Sequence, residues 1–337
     1  MTSIAQILTP DNIDFAAYMH ETEPAAKVKP AAQYVDDLID SLGKRRHEPR
    51  AFLPWEKTHK AFAFRPGEVT LWAGINGHGK SLMTGMTAAS LVTQSERVCI
   101  ASFEMKPRKT LERMVRQWGA DTPDDSWEDD PRAIAAYRDL YGQFADWTRN
   151  RLWLYDQQGT VNREMLVGVI RYCAKELGVQ HFFVDSLMKC VKGEDDYNGQ
   201  KELVDELTAI ARDHSMHIHL VHHIRKLDSE TKLPDKTDIK GTGAITDQVD
   251  NVLLVWRNKG KEIDRQQGKP VKETDPDALL LCRKQRNGEW EGSIALWFDK
   301  ASQQFVPSPS ADPLTLYNWP HDGRYSPSYS AATAAAL

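Results

Sequence analysis

The chain has 337 residues, 41% hydrophobic and 27% charged, enough to bury the core of one large or two small domains. A formal net charge of −5 excludes a protein that coats nucleic acid through a uniformly basic surface, so any such contact must be local. No run approaches the roughly 18 apolar residues of a membrane span, and the start carries acidic residues in place of a basic leader, which together imply a cytosolic protein without membrane contact.

Residues 1–29 show no sustained period and read as a flexible N-terminal arm. From Pro30 the apolar residues Tyr34, Val35, Leu38, Ile39 and Leu42 recur at helical spacing, with Pro30 suited to a first turn and Gly43 to a C-terminal cap. One short amphipathic helix is therefore expected over 31–42, inside a linker region ending at residue 54. The body, 55–307, alternates strand-like and helix-like stretches. Strands are expected over 68–73, 97–102, 151–155, 180–185, 217–222, 251–256, 277–282 and 292–298, and helices over 80–94, 107–118, 130–147, 161–177, 200–213 and 242–250. Such alternation specifies an α/β fold: a mostly parallel twisted sheet with helices on both faces and ligands at the carboxyl ends of its strands. The last strands, joined by short connections, read as an antiparallel extension. Residues 308–337, rich in Pro, Ser and Ala, read as a flexible tail. The four cysteines, Cys99, Cys173, Cys190 and Cys282, are too scattered for a zinc knuckle or a disulfide framework.

Four strand ends carry polar residues with a common chemistry. Gly74-Ile-Asn76-Gly77-His78-Gly79-Lys80-Ser81 fits the pattern GxxxxGK[ST] at a strand-to-helix joint, where glycines let backbone N–H groups converge on a triphosphate at the positive end of a helix. There Lys80 would reach the β- and γ-phosphates and Ser81 would ligate Mg²⁺. The next strand ends in Ala-Ser-Phe-Glu104, which would set a water activator beside the phosphate loop if that strand is its neighbour. Asp185 follows a fully apolar run and would hold Mg²⁺ through water. His222 and His223 end a further strand; adjacent residues there point to opposite faces, which disfavours a shared metal and leaves open which of them faces the nucleotide.

In order along the chain, FRPGEVTLWAGINGHGKS (64–81), ASFEM (101–105), FFVDS (182–186), LVHHIRK (220–226), DIKGTGAITDQVDNVLLVWRN (238–258) and KQRNG (284–288) resemble the C-terminal ATPase domain of DnaB-type replicative helicases, and the helicase half of phage primase-helicases and of Twinkle. The resemblance spans about residues 50–305. It implies a RecA-like fold, a homo-hexameric ring around single-stranded DNA, ATP with Mg²⁺ bound between subunits, and location in the cytoplasm, that of a bacterial host if phage-encoded. It makes His223 the γ-phosphate sensor, and Lys284 and Arg286 the basic pair presented to the neighbour's γ-phosphate, with Arg286 the arginine finger; without the resemblance these two would read as a solvated hairpin. It assigns DNA contact to the stretch around Lys240, Gly241 and Gly243, with Arg225, Lys226, Lys232 and Lys236 in the preceding loop mixed among acidic residues. The helix at 31–42 resembles the linker helix that docks on an adjacent subunit. No room is left for an N-terminal helical or zinc-binding primase domain, so a separate primase, loader or polymerase is the expected partner. The resulting expectation is a ring-forming helicase that unwinds duplex DNA during replication. A RecA-like filament-forming recombinase or mediator is the alternative, and a protein using ATP only as a conformational ligand is a third.

Overall fold

Apolar runs buried on both sides require a sheet covered on two faces, and the computed structural model has this architecture. It describes residues 6–8, 14–18, 39, 50–120, 131–193, 195–225, 229, 231–241, 243–314 and 316. The strands are β1 (Gln6–Leu8), β2 (Val69–Gly74), β3 (Val98–Ser102), β4 (Leu152–Tyr155), β5 (His181–Asp185), β6 (His217–His223), β7 (Asn251–Arg257), β8 (Ala278–Gln285), β9 (Gly292–Asp299) and β10 (Gln304–Val306). They form one sheet in the order β1-β4-β3-β5-β6-β2-β7-β8-β9-β10. Pairing is parallel as far as β7 and antiparallel beyond it, so the expected antiparallel extension is present.

The helices are α1 (Lys80–Thr93), α2 (Pro107–Gly119), α3 (Pro131–Thr148), α4 (Arg163–Glu176), α5 (Tyr197–Asp213), α6 (Gly243–Gln248) and α7 (Lys259–Gln266). Strand side chains alternate between the two faces, as the period of two demands. Leu71, Cys99, Phe182, Leu220 and Leu254 pack with α4 and α5 in one core. Their neighbours Trp72, Ile100, Phe183, Val221 and Val255 pack with α1, α2 and Phe144 of α3 in the other.

Several boundaries differ from expectation. Gln6–Leu8, within the stretch read as an arm, pairs with β4, which would otherwise present unpaired N–H and C=O groups at the sheet edge. Tyr18 packs edge-on against Tyr172 of α4. Packing of the body begins by Ala51, bridged to Phe64, and runs past residue 307 to Leu316, which is 2% exposed. Gln304 fastens this extension, donating to the Leu314 carbonyl at 2.6 Å and accepting from its N–H at 2.8 Å. The expected helix at 31–42 lies, apart from Ile39, outside the described residues, as do 317–337.

One polar cluster interrupts the apolar core. His181, His217 and His219 are buried among Phe64, Trp72 and Phe183, and the His219 ring stacks on Phe183 with centroids 3.9 Å apart. Trp72 Nε1–H, a donor only, donates to His219 Nδ1 at 3.2 Å. His219 must therefore carry its proton on Nε2 and donate to His181 Nδ1, 3.1 Å away. His217 Nδ1 donates to the Arg65 carbonyl at 2.8 Å, leaving Nε2 to accept from Thr70. The bonding leaves His219 and His181 neutral, and burial lowers all three pKa values, that of His217 to about 4, which keeps it neutral at pH 7 as well.

Candidate nucleotide-binding site

The phosphate loop turns where only glycine is comfortable. Gly77 and Gly79 have φ of 78° and 87°, in the left-handed region. A Cβ on Gly74 would lie 2.4 Å from the Val255 carbonyl of the neighbouring strand. Gly79 is the N-cap of α1, so the helix begins at Lys80 with its free N–H groups facing the loop. Lys80 is buried; its Nζ donates to the carbonyls of Gly74 at 2.9 Å and Ile75 at 3.1 Å. Desolvation pulls its pKa down to about 8, against the opposing pull of Asp185 and Glu104. A phosphate replacing those two carbonyls would raise it again.

A cavity of about 500 Å³ opens over this loop, lined by Asn76, Gly77, Gly79, Lys80, Ser81, Glu104, Asp185 and His223 among others. The strand order explains how these residues meet. β3 is not the neighbour of β2; β5 and β6 lie between them, so the condition set for Glu104 is not met by direct adjacency. Ser102 pairs with Asp185 and Gly74 pairs with His223, so Glu104, Asp185, His223 and the phosphate loop form a row along the carboxyl edge of adjacent strands. Ser186 Oγ donates to Glu104 Oε1 at 3.5 Å. Register, which alternation alone could not supply, separates the histidines. His223 lines the cavity, whereas His222 is buried with Nε2 donating to the Lys240 carbonyl at 2.9 Å.

Ser81 Oγ donates to Asp185 Oδ2 at 2.6 Å, which brings the two expected magnesium ligands together. Burial raises the Asp185 pKa, partly countered by that hydrogen bond, so a cation beside it would be favoured. Hard oxygen donors, few in number, suit an ion that keeps waters and phosphate oxygens as its other ligands. Among the described residues no group of three or more His, Cys, Asp or Glu could hold a metal alone.

The His78 side chain does not line that cavity. It is 1% exposed, its ring accepts from the Arg257 N–H at 3.1 Å, and its backbone N–H is bonded to the Ile75 carbonyl. It lines a second cavity of about 320 Å³ that shares Gly79, Leu82 and Phe298 with the first. Sequence reasoning missed Arg113 of α2, and Phe298 and Gln303 at the far end of the sheet, which also line the phosphate cavity. They come from distant elements with no motif to mark them.

The cavity lacks Lys284 and Arg286. Arg286 Nε faces Asp250 Oδ1 at 3.2 Å, and Asp250 Oδ2 accepts from the Val69 N–H at the opposite end of β2 from the phosphate loop. With ~3.3 Å per strand residue, five steps along β2 separate the two ends by roughly 16 Å. Asn287 holds the same hairpin down, donating to Glu68 Oε1 at 2.8 Å. The Gly74–Ser81 loop and the Lys284–Arg286 pair thus lie at opposite edges of one sheet. Of the residues expected to contact DNA, the Lys240 N–H donates to the His223 carbonyl at 3.0 Å, and Gly241, with φ 94°, sits where a Cβ would be 2.4 Å from Gln200 Oε1. Gly243 opens α6 with free space around it. Lys226 lies outside the described residues.

Residues 58–307 match the family described as DnaB-like helicase C-terminal domain. Among solved structures, the chain resembles one described as an ATPase domain, with a TM-score of 0.63 at 15% identity, over 81% of this chain and 98% of that one. It also resembles a DnaB-like replicative helicase whose structure and interactions with primase have been described, with a TM-score of 0.64 at 15% identity, over 88% of this chain and 75% of that one. At these identities the two structures establish the fold, which is RecA-like.

Proposed function

The chain belongs to the DnaB-like helicase C-terminal domain family, an ATP-dependent replicative DNA helicase, and from that premise we propose how its residues divide the work. One subunit supplies the cradle: backbone N–H groups of the Gly74–Gly79 loop and Lys80 bind the β- and γ-phosphates. Ser81 and, through water, Asp185 hold Mg²⁺, which when bound neutralises charge on the phosphate oxygens. Glu104 accepts a proton from the attacking water while His223 senses the γ-phosphate. Phe298, between the two cavities, offers an apolar face to the nucleoside.

Lys284 and Arg286 of the adjoining subunit complete the site. The observation that carries this reading is the opposed placement of cradle and finger on β2, which lets a head-to-tail ring join them but keeps a subunit from using its own. A finger supplied in this way typically contributes 10³–10⁵ in rate, roughly, so isolated subunits hydrolyse ATP slowly. The ring is a homo-hexamer acting in the cytoplasm. Single-stranded DNA passes through its channel against Lys240, Gly241 and Gly243, and duplex is split by exclusion of the other strand. Priming and loading come from separate proteins.

The test is unwinding of a forked duplex with ATP and Mg²⁺ under conditions where native mass spectrometry finds the ring. Strand separation dependent on both ligands supports the reading. Rings that hydrolyse ATP but leave the fork intact contradict it, and helical filaments on the DNA would favour the recombinase alternative.

A further inference from the structure

Helix α6 connects two parts of the machinery that act on different partners. Its N-terminus follows the Lys240–Gly241 loop, and its C-terminus is grasped by Lys284 and Arg286. Lys284 Nζ donates to the carbonyls of Thr246, Asp247 and Val249 at 2.7, 2.9 and 2.8 Å, which uses all three of its donors. Arg286 Nη2 donates to the carbonyls of Asp247 and Gln248 at 3.0 and 3.2 Å. Its Nε faces Asp250, whose carbonyl also accepts the Arg286 N–H at 2.9 Å. The last carbonyls of a helix have no partners within it, so these cations satisfy groups that would otherwise need water. Lys284 cannot hold these carbonyls and a neighbour's phosphate at once, and Arg286, with Nη2 and Nε engaged, has only Nη1 left to offer until it lets go.

We propose that the Lys284–Arg286 pair is latched on the C-terminal end of α6 until DNA seats on the loop at its other end, so that strand binding by one subunit frees the finger it offers to the next. This rests on the reading of Arg286 as a finger given above. The loop has little slack to absorb a pull. Lys240 is bonded through its N–H to His223 and through its carbonyl to His222. The Gly241 backbone lies so close to Ile245 of α6 that a side chain would not fit between them. Phosphates drawn to the Lys240 ammonium therefore pull on α6 as a unit, a rod of about 9 Å. Burial and the Arg286 charge also lower the Lys284 pKa, so its ammonium gains when it exchanges carbonyls for a phosphate dianion.

Asp250 is a positioning residue in this scheme, and Asp250→Asn tests it. The amide oxygen can still accept from Val69, while the charge that holds Arg286 is gone. Charge-assisted hydrogen bonds of this kind shift an equilibrium by about tenfold. In the assembled protein, the DNA-free ATPase kcat should rise about five- to tenfold towards the DNA-saturated value, with KM for ATP unchanged. A DNA-free rate equal to wild type, or DNA-free and DNA-bound rates changed by one common factor, overturns the latch. Arg286→Ala is measured beside it. If that variant turns over like wild type, the finger reading itself fails; if it is inactive while Asp250→Asn is unaltered, only the latch fails. Should Asp250→Asn not fold, exchange of the Arg286 Nε–H, followed by NMR in the nucleotide-free wild-type protein, decides: faster exchange on adding single-stranded DNA supports release, and unchanged or slower exchange refutes it.

Discussion

Acidification should weaken this fold through its three buried histidines, by an amount that can be worked out. His181, His217 and His219 are neutral in the folded protein, and burial depresses their pKa values, whereas in the unfolded chain each takes a proton near pH 6.5. Their contribution is therefore complete above that pH and declines as the pH falls towards the folded values. At about 1.4 kcal/mol per proton and pH unit, lowering the pH from 7.5 to 5.5 costs about 4 kcal/mol for the three. Glu96 acts in the opposite sense. Its carboxyl is pushed up to about 7 by burial, so the folded state takes up a proton that the unfolded state refuses until near pH 4.5. That returns about 2 kcal/mol, leaving a net loss of about 2 kcal/mol, a substantial part of a stability of roughly 5–15 kcal/mol. Urea titration of nucleotide-free protein at both pH values measures it, and the thermal midpoint should fall by about 5 °C. His219→Gln, although less stable at pH 7.5, should show a shallower pH dependence by one proton's worth. Stability that holds or rises between pH 7.5 and 5.5, or an unchanged slope in His219→Gln, refutes the argument.

Glu104→Gln should bind ATP as the wild type does but turn over about 10²–10⁴-fold more slowly, measured by nucleotide titration and phosphate release; undiminished turnover assigns the base elsewhere. Lys240→Ala should weaken single-stranded DNA binding about equally for all sequences and reduce the slope of log K against log salt by about 0.7, read by fluorescence anisotropy. Gly241→Ala should lower stability by about 1–3 kcal/mol and impair DNA binding, since φ is 94° and the added carbon would meet Gln200 Oε1 at 2.4 Å; a thermal midpoint equal to wild type contradicts this.

The central strands were legible because each is an apolar run with a polar terminus, and that same signature exposed Glu104, Asp185 and the histidine pair. β1 and β10 have three residues each, too few to show a period. Helix α7 carries no apolar stripe: its buried residue is Lys261, bonded to Asp277 at 2.9 Å, and Asn258 caps it by accepting from the Lys261 N–H. Choosing between His222 and His223 required the register of β6 on β2, a long-range property. Arg113 and Phe298 reach the cavity from α2 and β9, elements far apart in the chain, a convergence that topology creates. KQRNG was readable only through resemblance, because what gives it meaning, the carbonyls of α6 and the Asp250 carboxylate, lies some 35 residues upstream.

The claim that each site is built across two subunits is tested most directly by mixing. Lys80→Ala lacks a working cradle and Arg286→Ala lacks a finger, so each alone should be nearly inactive in ATP hydrolysis. In rings reassembled from an equal mixture, about a quarter of interfaces join an intact cradle to an intact finger. Phosphate release well above that of either parent is the predicted result; a mixture as inactive as its components, or an Arg286→Ala protein active by itself, would contradict the account.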